Sequence, residues 1–148
     1  LYEADLSAAD LTGADLAGTK MGRATFTRAI LSDARITFAN LSNARFLGAK
    51  FDGADIRRSN LKEANLQRVD LSGVQLDGAY LVGANLKGAK LVGATLVHAD
   101  LYRANLIRAD LSNANLSGAR LTRAVLRDTI MDGTILTGAF MPDGSRGD

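Results

Sequence analysis

The stretch SAADLTGADLAG, Ser7 to Gly18, holds one five-residue phrase twice, Ala-Asp-Leu-x-x, beginning at Ala9 and again at Ala14. Stepping by five in both directions extends it along the chain. From Leu1 to Met141 every fifth residue is apolar, 29 positions of which 21 are Leu, so the register never slips. Two residues before each later centre runs a second series, Ala4 to Gly144. It is Ala at 22 of 29 places, so the partner of each large residue is almost always small. The exceptions are Thr19, Ser59, Val69, Val74, Thr129, Thr134 and Gly144. Repetition at a fixed period is the mark of a solenoid.

A period of five suits neither regular element. On a helix, five residues overshoot a full turn by about 140°, which scatters the leucines around the axis. On a straight strand they alternate between faces. An Ala and the Leu two residues later do share a face in extended chain. A short extended edge followed by a turn, repeated every pentad, keeps both inside. The chain then coils around its own apolar axis.

The residue two after each centre counts the sides of that coil. Twelve of these positions are Gly and seven are Arg. With pentads numbered cyclically by four from Leu1, nine of the twelve glycines fall on the third and fourth sides. Six of the seven arginines, all but Arg58, fall on the first and second. Numbering by three separates neither group. Four sides predict an all-β solenoid of about seven coils, roughly 34 Å long at the spacing of paired strands. Residues 20 apart then stack, Phe26 upon Phe46 and Asn65 upon Asn85 and Asn105, the asparagines as a hydrogen-bonded ladder. Gly at the third position of a turn predicts type II geometry on sides three and four, and other turns on the Arg-bearing sides.

Composition narrows the functions open to such a coil. Eighteen basic residues against sixteen acidic leave a net charge of +2, too near neutral to call for nucleic acid, and no nucleic-acid partner is expected. Aromatics are only 5% of residues, so the core is aliphatic. There is no cysteine and one histidine, His98, which reads as a surface residue. Asp5, Asp10 and Asp15 resemble a carboxylate cluster in writing, but three different sides carry them. They read as corner residues bonding nearby backbone. No nucleophile stands with a base, and each glycine leads into an Ala-x-Leu edge, not a phosphate-binding helix. Neither a catalytic residue, a metal site nor a cofactor is expected. No apolar run is long enough to span a membrane. The chain starts at Leu1 inside a repeat, which reads as a fragment or processed form. Its compartment stays open: cytoplasm, or periplasm or thylakoid lumen if a leader was removed.

Copies such as Ala9-Asp10-Leu11, Ala84-Asn85-Leu86, Ala104-Asn105-Leu106 and Ala114-Asn115-Leu116 resemble the motif of the pentapeptide-repeat proteins, A-(D/N)-L-x-x. The resemblance covers residues 1–141, with 142–148 as a C-terminal tail. It implies a right-handed, four-sided β-helix with the central Leu or Phe and the Ala turned inward. The family includes gyrase-binding DNA mimics, cyanobacterial developmental regulators and thylakoid-lumen proteins, and no functional residue carries over. The closing Met141–Ser145, MPDGS, is similar to endings of cyanobacterial members.

The expected function is a non-enzymatic scaffold or protein–protein interaction module. The alternative is a DNA-mimicking regulator of gyrase or another topoisomerase, against which the Arg-rich flank argues. Two candidate surfaces stand out. One is a basic flank of Arg23, Arg28, Arg68, Arg103, Arg108, Arg123 and Arg127 for a protein partner. The other is the last coil, where the outward position before the centre turns apolar at Val125, Ile130, Ile135 and Phe140. An apolar collar on an open edge predicts packing against the tail, another domain or a second copy, in the last case a homodimer.

Overall fold

The computed structural model describes residues 1–148 and contains no helix. Its repeating unit is a four-residue turn followed by one bridging residue. The bridges form four parallel ladders, each joining residue i to residue i+20. Ladder 1 starts at Asp5 and runs through Thr25, Arg45 and Asn65 to Val125. Ladder 2 starts at Asp10, ladder 3 at Asp15 and ladder 4 at Lys20. The chain thus returns above itself every four pentads, the cycle that the glycines and arginines indicate. The turns before these ladders, Leu1–Ala4, Leu6–Ala9, Leu11–Ala14 and Leu16–Thr19, are called the first to fourth turns below.

Backbone hydrogen bonds account for the register. In the pentad that begins at Leu81, the Leu81 N–H donates upward to Asp100 O at 2.7 Å and the Gly83 N–H to Tyr102 O at 2.9 Å. The Ala84 N–H closes the turn onto Leu81 O at 3.0 Å, and the Asn85 N–H reaches down to Ala64 O at 2.9 Å. One donor per pentad is left over, the N–H just after the centre. A buried or half-buried donor must find a partner. Where an Asp or Asn precedes the centre, its side chain supplies one, as Asp100 does for the Tyr102 N–H at 3.0 Å.

The turns differ from expectation. Positive φ at the third turn residue occurs in all four turns of every coil, including Arg103 at 58° and Arg108 at 57°. The residue before it is never positive, so every turn has the φ signs of a type II turn and this feature is not divided between sides. The left-handed conformation costs a non-glycine residue about 1 kcal/mol. It is imposed from above, because the N–H of that residue must meet a carbonyl of the next coil, as Arg108 N meets Arg127 O at 3.0 Å.

The glycines answer a different need. Gly48, Gly53, Gly78, Gly83, Gly88, Gly118 and Gly133 each follow a side chain in the coil before, 20 residues earlier. The side chains of Asp33, His98 and Asn113 occupy the space a Cβ would take at Gly53, Gly118 and Gly133. Those of Arg28, Arg58, Glu63 and Arg68 lie 3.2–3.4 Å from a Cβ at Gly48, Gly78, Gly83 and Gly88. Gly73, Gly93 and Gly138 follow another glycine and face open space. Gly53, Gly118 and Gly133 are seats for neighbouring side chains.

Inside, the central residues and alanines interlock from coil to coil. Leu31, Leu61, Leu81, Leu101 and Leu121 and the alanines between them are all but inaccessible. Phe26 stacks on Phe46 with centroids 5.0 Å apart, and Phe51 tilts against Phe46 at 5.3 Å. Val69 and Val74 replace alanine one coil above these rings. There the N–H groups of Gly48, Phe51 and Gly53 make no backbone bond, while the bridges from Lys50 to Asp70 and from Asp55 to Gln75 persist. Hydroxyls in the alanine series are satisfied: Thr129 and Thr134 donate to Leu106 O and Leu111 O at 2.8 Å, and buried Ser59 donates to Ile36 O. Residues Gly144–Gly147 fold back antiparallel over the last coil, pairing Arg146 with Phe140.

A wholly buried alanine column has no room for a larger side chain. Ala84→Leu is expected to lose about 1–3 kcal/mol through overpacking, read as a shift in the urea midpoint at unchanged m-value.

Candidate functional site

Asp5, Asp10 and Asp15 stand on ladders 1, 2 and 3 and do not converge. Each accepts the leftover N–H two residues on: Ser7 to Asp5 at 3.0 Å, Thr12 to Asp10 and Ala17 to Asp15 at 3.1 Å. Asn65, Asn85 and Asn105 stack as expected, but they form no ladder of side-chain bonds. Their Oδ1 atoms instead take the N–H groups of Gln67, Lys87 and Ile107 at 3.1–3.2 Å. That donor has no other partner, so the local bond wins. The Val97 N–H, which follows Thr95 and not an Asp or Asn, reaches Asp77 of the coil below at 2.8 Å. No group of three or more His, Cys, Asp or Glu side chains is placed to hold a metal ion. No helix is long and apolar enough to cross a membrane.

The ladder register divides the seven arginines of the candidate flank between the first and second turns. Arg23 pairs with Glu3 at 3.3 Å and Arg108 with Asp128 at 3.7 Å. Arg28, Arg68, Arg103, Arg123 and Arg127 have no carboxylate within ion-pair distance. Arg28 and Arg68 lean over Gly48 and Gly88. Arg103 and Arg123 flank the Tyr102 ring at 5.5 and 6.0 Å. The expected pair of Asp100 and Arg120 forms at 2.9 Å.

The flank is part of a wider asymmetry. Along ladder 4 and the turn residues beside it, Lys20, Arg58, Lys62 and Arg120 face one carboxylate, Asp100. Along ladder 3, Asp15, Asp33, Asp55 and Asp77 outnumber Arg35 and Arg57, and Arg57 is clamped on Asp55 by two bonds of 2.9 and 2.7 Å. Reading arginines by turn position alone missed the contribution of ladder 4. Folding the sequence at 20 residues would have found it.

The apolar collar lies on the lateral walls of the last coil. Val125, Ile130 and Ile135 are 45–48% exposed, one on each of ladders 1 to 3. Phe140, on ladder 4, is 39% exposed. The Arg146 guanidinium of the tail covers its ring at 3.7 Å, and Arg146 also donates to Gly138 O at 2.8 Å. The tail thus meets one of the four. The terminal plane of the coil is formed by other residues, half-buried Leu126, Met131, Leu136 and Met141.

Comparison with known proteins agrees with this architecture. The family model for the pentapeptide repeat region matches residues 4–81, and the model for pentapeptide repeats matches 70–106 and 104–141. The chain belongs to the pentapeptide-repeat family, and with it to the right-handed β-helix. It is similar to the crystal structure of HetL, a pentapeptide repeat protein involved in heterocyst differentiation regulation from the cyanobacterium Nostoc sp. strain PCC 7120. The two are 38% identical over 99% of this chain and 76% of HetL, with a TM-score of 0.77. QnrB1, a plasmid-mediated fluoroquinolone resistance protein, is 23% identical over 90% of this chain and 77% of its own, with a TM-score of 0.63, a likeness of fold. No match was found among curated protein sequences.

The corner carboxylates carry a pH dependence. Hydroxyl donation from Ser7, Thr12 and Ser112, then the N–H of the same residue, holds Asp5, Asp10 and Asp110 below the ordinary carboxylate value of 3.8. Arg35 acts likewise on Asp15, and Arg57 on Asp55. A lowered folded value contributes stability above the unfolded value that is lost as pH falls through the folded one. The thermal midpoint, followed by circular dichroism, should hold level down to about pH 5 and fall steadily below about pH 4. Converting Asp5, Asp10 and Asp110 together to Asn, which keeps an acceptor, should flatten that fall.

Proposed function

We propose that this chain is a non-enzymatic interaction module, a four-sided rod of about seven coils over residues 1–141 with 142–148 as a tail, that docks a protein partner on its basic side. One observation carries the reading. Cations without partners gather on the first and second turns and along ladder 4, while carboxylates dominate ladder 3. Long-range steering of an acidic partner needs that separation, not a large net charge. The likeness to HetL, a protein of developmental regulation, supports a role exercised through binding.

Photo-crosslinking residues placed at Val82 and Thr122 on the first turn should capture a discrete partner in extracts of the source cell. The same residues at Ser72 and Ser112 on the third turn should capture none. Equal capture from both turns, or from neither, would overturn the proposal. The alternative, a DNA-mimicking regulator of gyrase, requires a strongly negative surface that the charges here oppose. Inhibition of gyrase supercoiling, or its protection from quinolones, at low concentrations of the chain would reinstate it.

The exposed aliphatic groups of the last coil support a homodimer joined there. Sedimentation should then report a dimer for the unmodified chain and a monomer for the Ile130→Lys/Ile135→Lys variant. A monomer for both removes this surface.

A further inference from the structure

Five aromatic residues lie outside the core, all on one side of the rod: Tyr2 at its first coil, and Phe38, Tyr80, Tyr102 and Phe140 grouped further along it. Tyr80 and Phe140 stand on ladder 4 itself. Phe38 is the third residue of the fourth turn, just before the ladder, and Tyr102 is the second residue of the first turn, just after it. Phe38 and Tyr80 are 63% and 55% exposed, well beyond what a core or a corner requires. All the guanidinium–ring stacks of the molecule are here too. Arg58 covers Phe38 at 5.6 Å, Arg120 covers Tyr102 at 4.7 Å, and Arg146 covers Phe140.

These groups are contiguous. Phe38, Arg58, Tyr80, His98 and Asp100 line one open cleft of about 440 Å³, floored by Gly78. The cleft exists because the fourth-turn column reads Arg58, Gly78, His98: the absent side chain at Gly78 parts two large ones. His98 and Arg146 share the next depression with Phe140. Asp100 is engaged by Arg120, so the excess on this face is cationic.

We propose that the ladder 4 face is a docking strip for an extended acidic segment of a partner protein, one that alternates carboxylates with apolar or aromatic side chains. This deepens the interaction-module reading and rests on it. Exposed aromatics beside arginines are the composition of interface hot spots. A guanidinium held over a ring by cation–π attraction keeps N–H donors for a carboxylate, which its planar fork receives in two bonds. Arg58 has no carboxylate of its own in the structure. Arg120 spends its Nε on Asp100 and keeps its terminal nitrogens. Arg58 and Arg120 lie three coils apart, about 14 Å, which an extended peptide covers in about four residues. The Tyr80 ring between them offers an apolar surface. Single-stranded nucleic acid fits less well, because bases need open ring faces. Three of the four rings here already carry a guanidinium.

The test is fluorescence anisotropy of the intact chain with a labelled Glu–Tyr copolymer, with poly-Glu and oligo-dT as comparison probes. The copolymer should bind more tightly than either. Binding should fall at least ten-fold in Arg58→Ala/Tyr80→Ala and change less than two-fold in Lys50→Ala/Lys90→Ala, which removes two cations from ladder 2, circular dichroism confirming that both variants fold. Oligo-dT binding more tightly than the copolymer would overturn the proposal in favour of nucleic acid. Equal binding of poly-Glu, equal loss in the two variants, or no binding would overturn it as well. Equal loss would still leave the basic side as an interaction surface, so this face can fail without the broader reading failing.

Discussion

The structure depends on how little room there is inside it. Each coil turns four large residues and four small ones toward a narrow axis, and a small residue, nearly always Ala, fits beside the Leu, Ile, Phe or Met of the next edge. The pair repeats every five residues, which forces a turn after each short edge. The turn in turn brings every fifth N–H and carbonyl under those of the next coil. From that constraint follow the parallel ladders, the positive φ at the third residue of the turns and the one leftover donor per pentad, which an Asp or Asn satisfies where one precedes the centre. Where Phe46 and Phe51 lie beneath Val69 and Val74, three N–H groups make no backbone bond, while the bridges there persist.

A scaffold of this kind fixes all inward positions and leaves the outward ones free. Acidic residues can occupy the corners without forming a site, because each is occupied by its own backbone. The arginines differ, since five of the seven on the candidate flank have no carboxylate to hold them. Surface ion pairs contribute little to stability in any case, typically under about 1 kcal/mol. The uneven distribution of charge around the rod is therefore an external property and not a device of folding.

Residues distant in sequence become neighbours at multiples of 20, and this governs what recognition surface can be assembled. Phe38, Tyr80, Tyr102 and Phe140 are scattered over a hundred residues and come together on one side because their positions fall on one ladder and its adjoining turns. Glycine shapes the same side by omission. At Gly78 it opens a cleft between Arg58 and His98, and at Gly118 it gives the His98 ring a place to rest.

Much of this was legible in the pentad itself. Leu11 and Leu16 with Ala9 and Ala14 announce the core, because a small and a large residue two apart can share an edge only in extended chain. Gly and Arg counts indicate the 20-residue cycle, and Asp10 before Leu11 reads correctly as a corner residue. The turn at Arg103 did not, since its left-handed φ is dictated by the carbonyl of Thr122 in the next coil and not by any local preference. Nor did the asparagine column, where a leftover N–H two residues away outcompetes the asparagine above. The sequence by itself determined the inward pattern and the period. Tertiary stacking decided the turn conformation, the seating of side chains over glycines and the grouping of arginines with aromatics, because each depends on a residue 20 or more positions away.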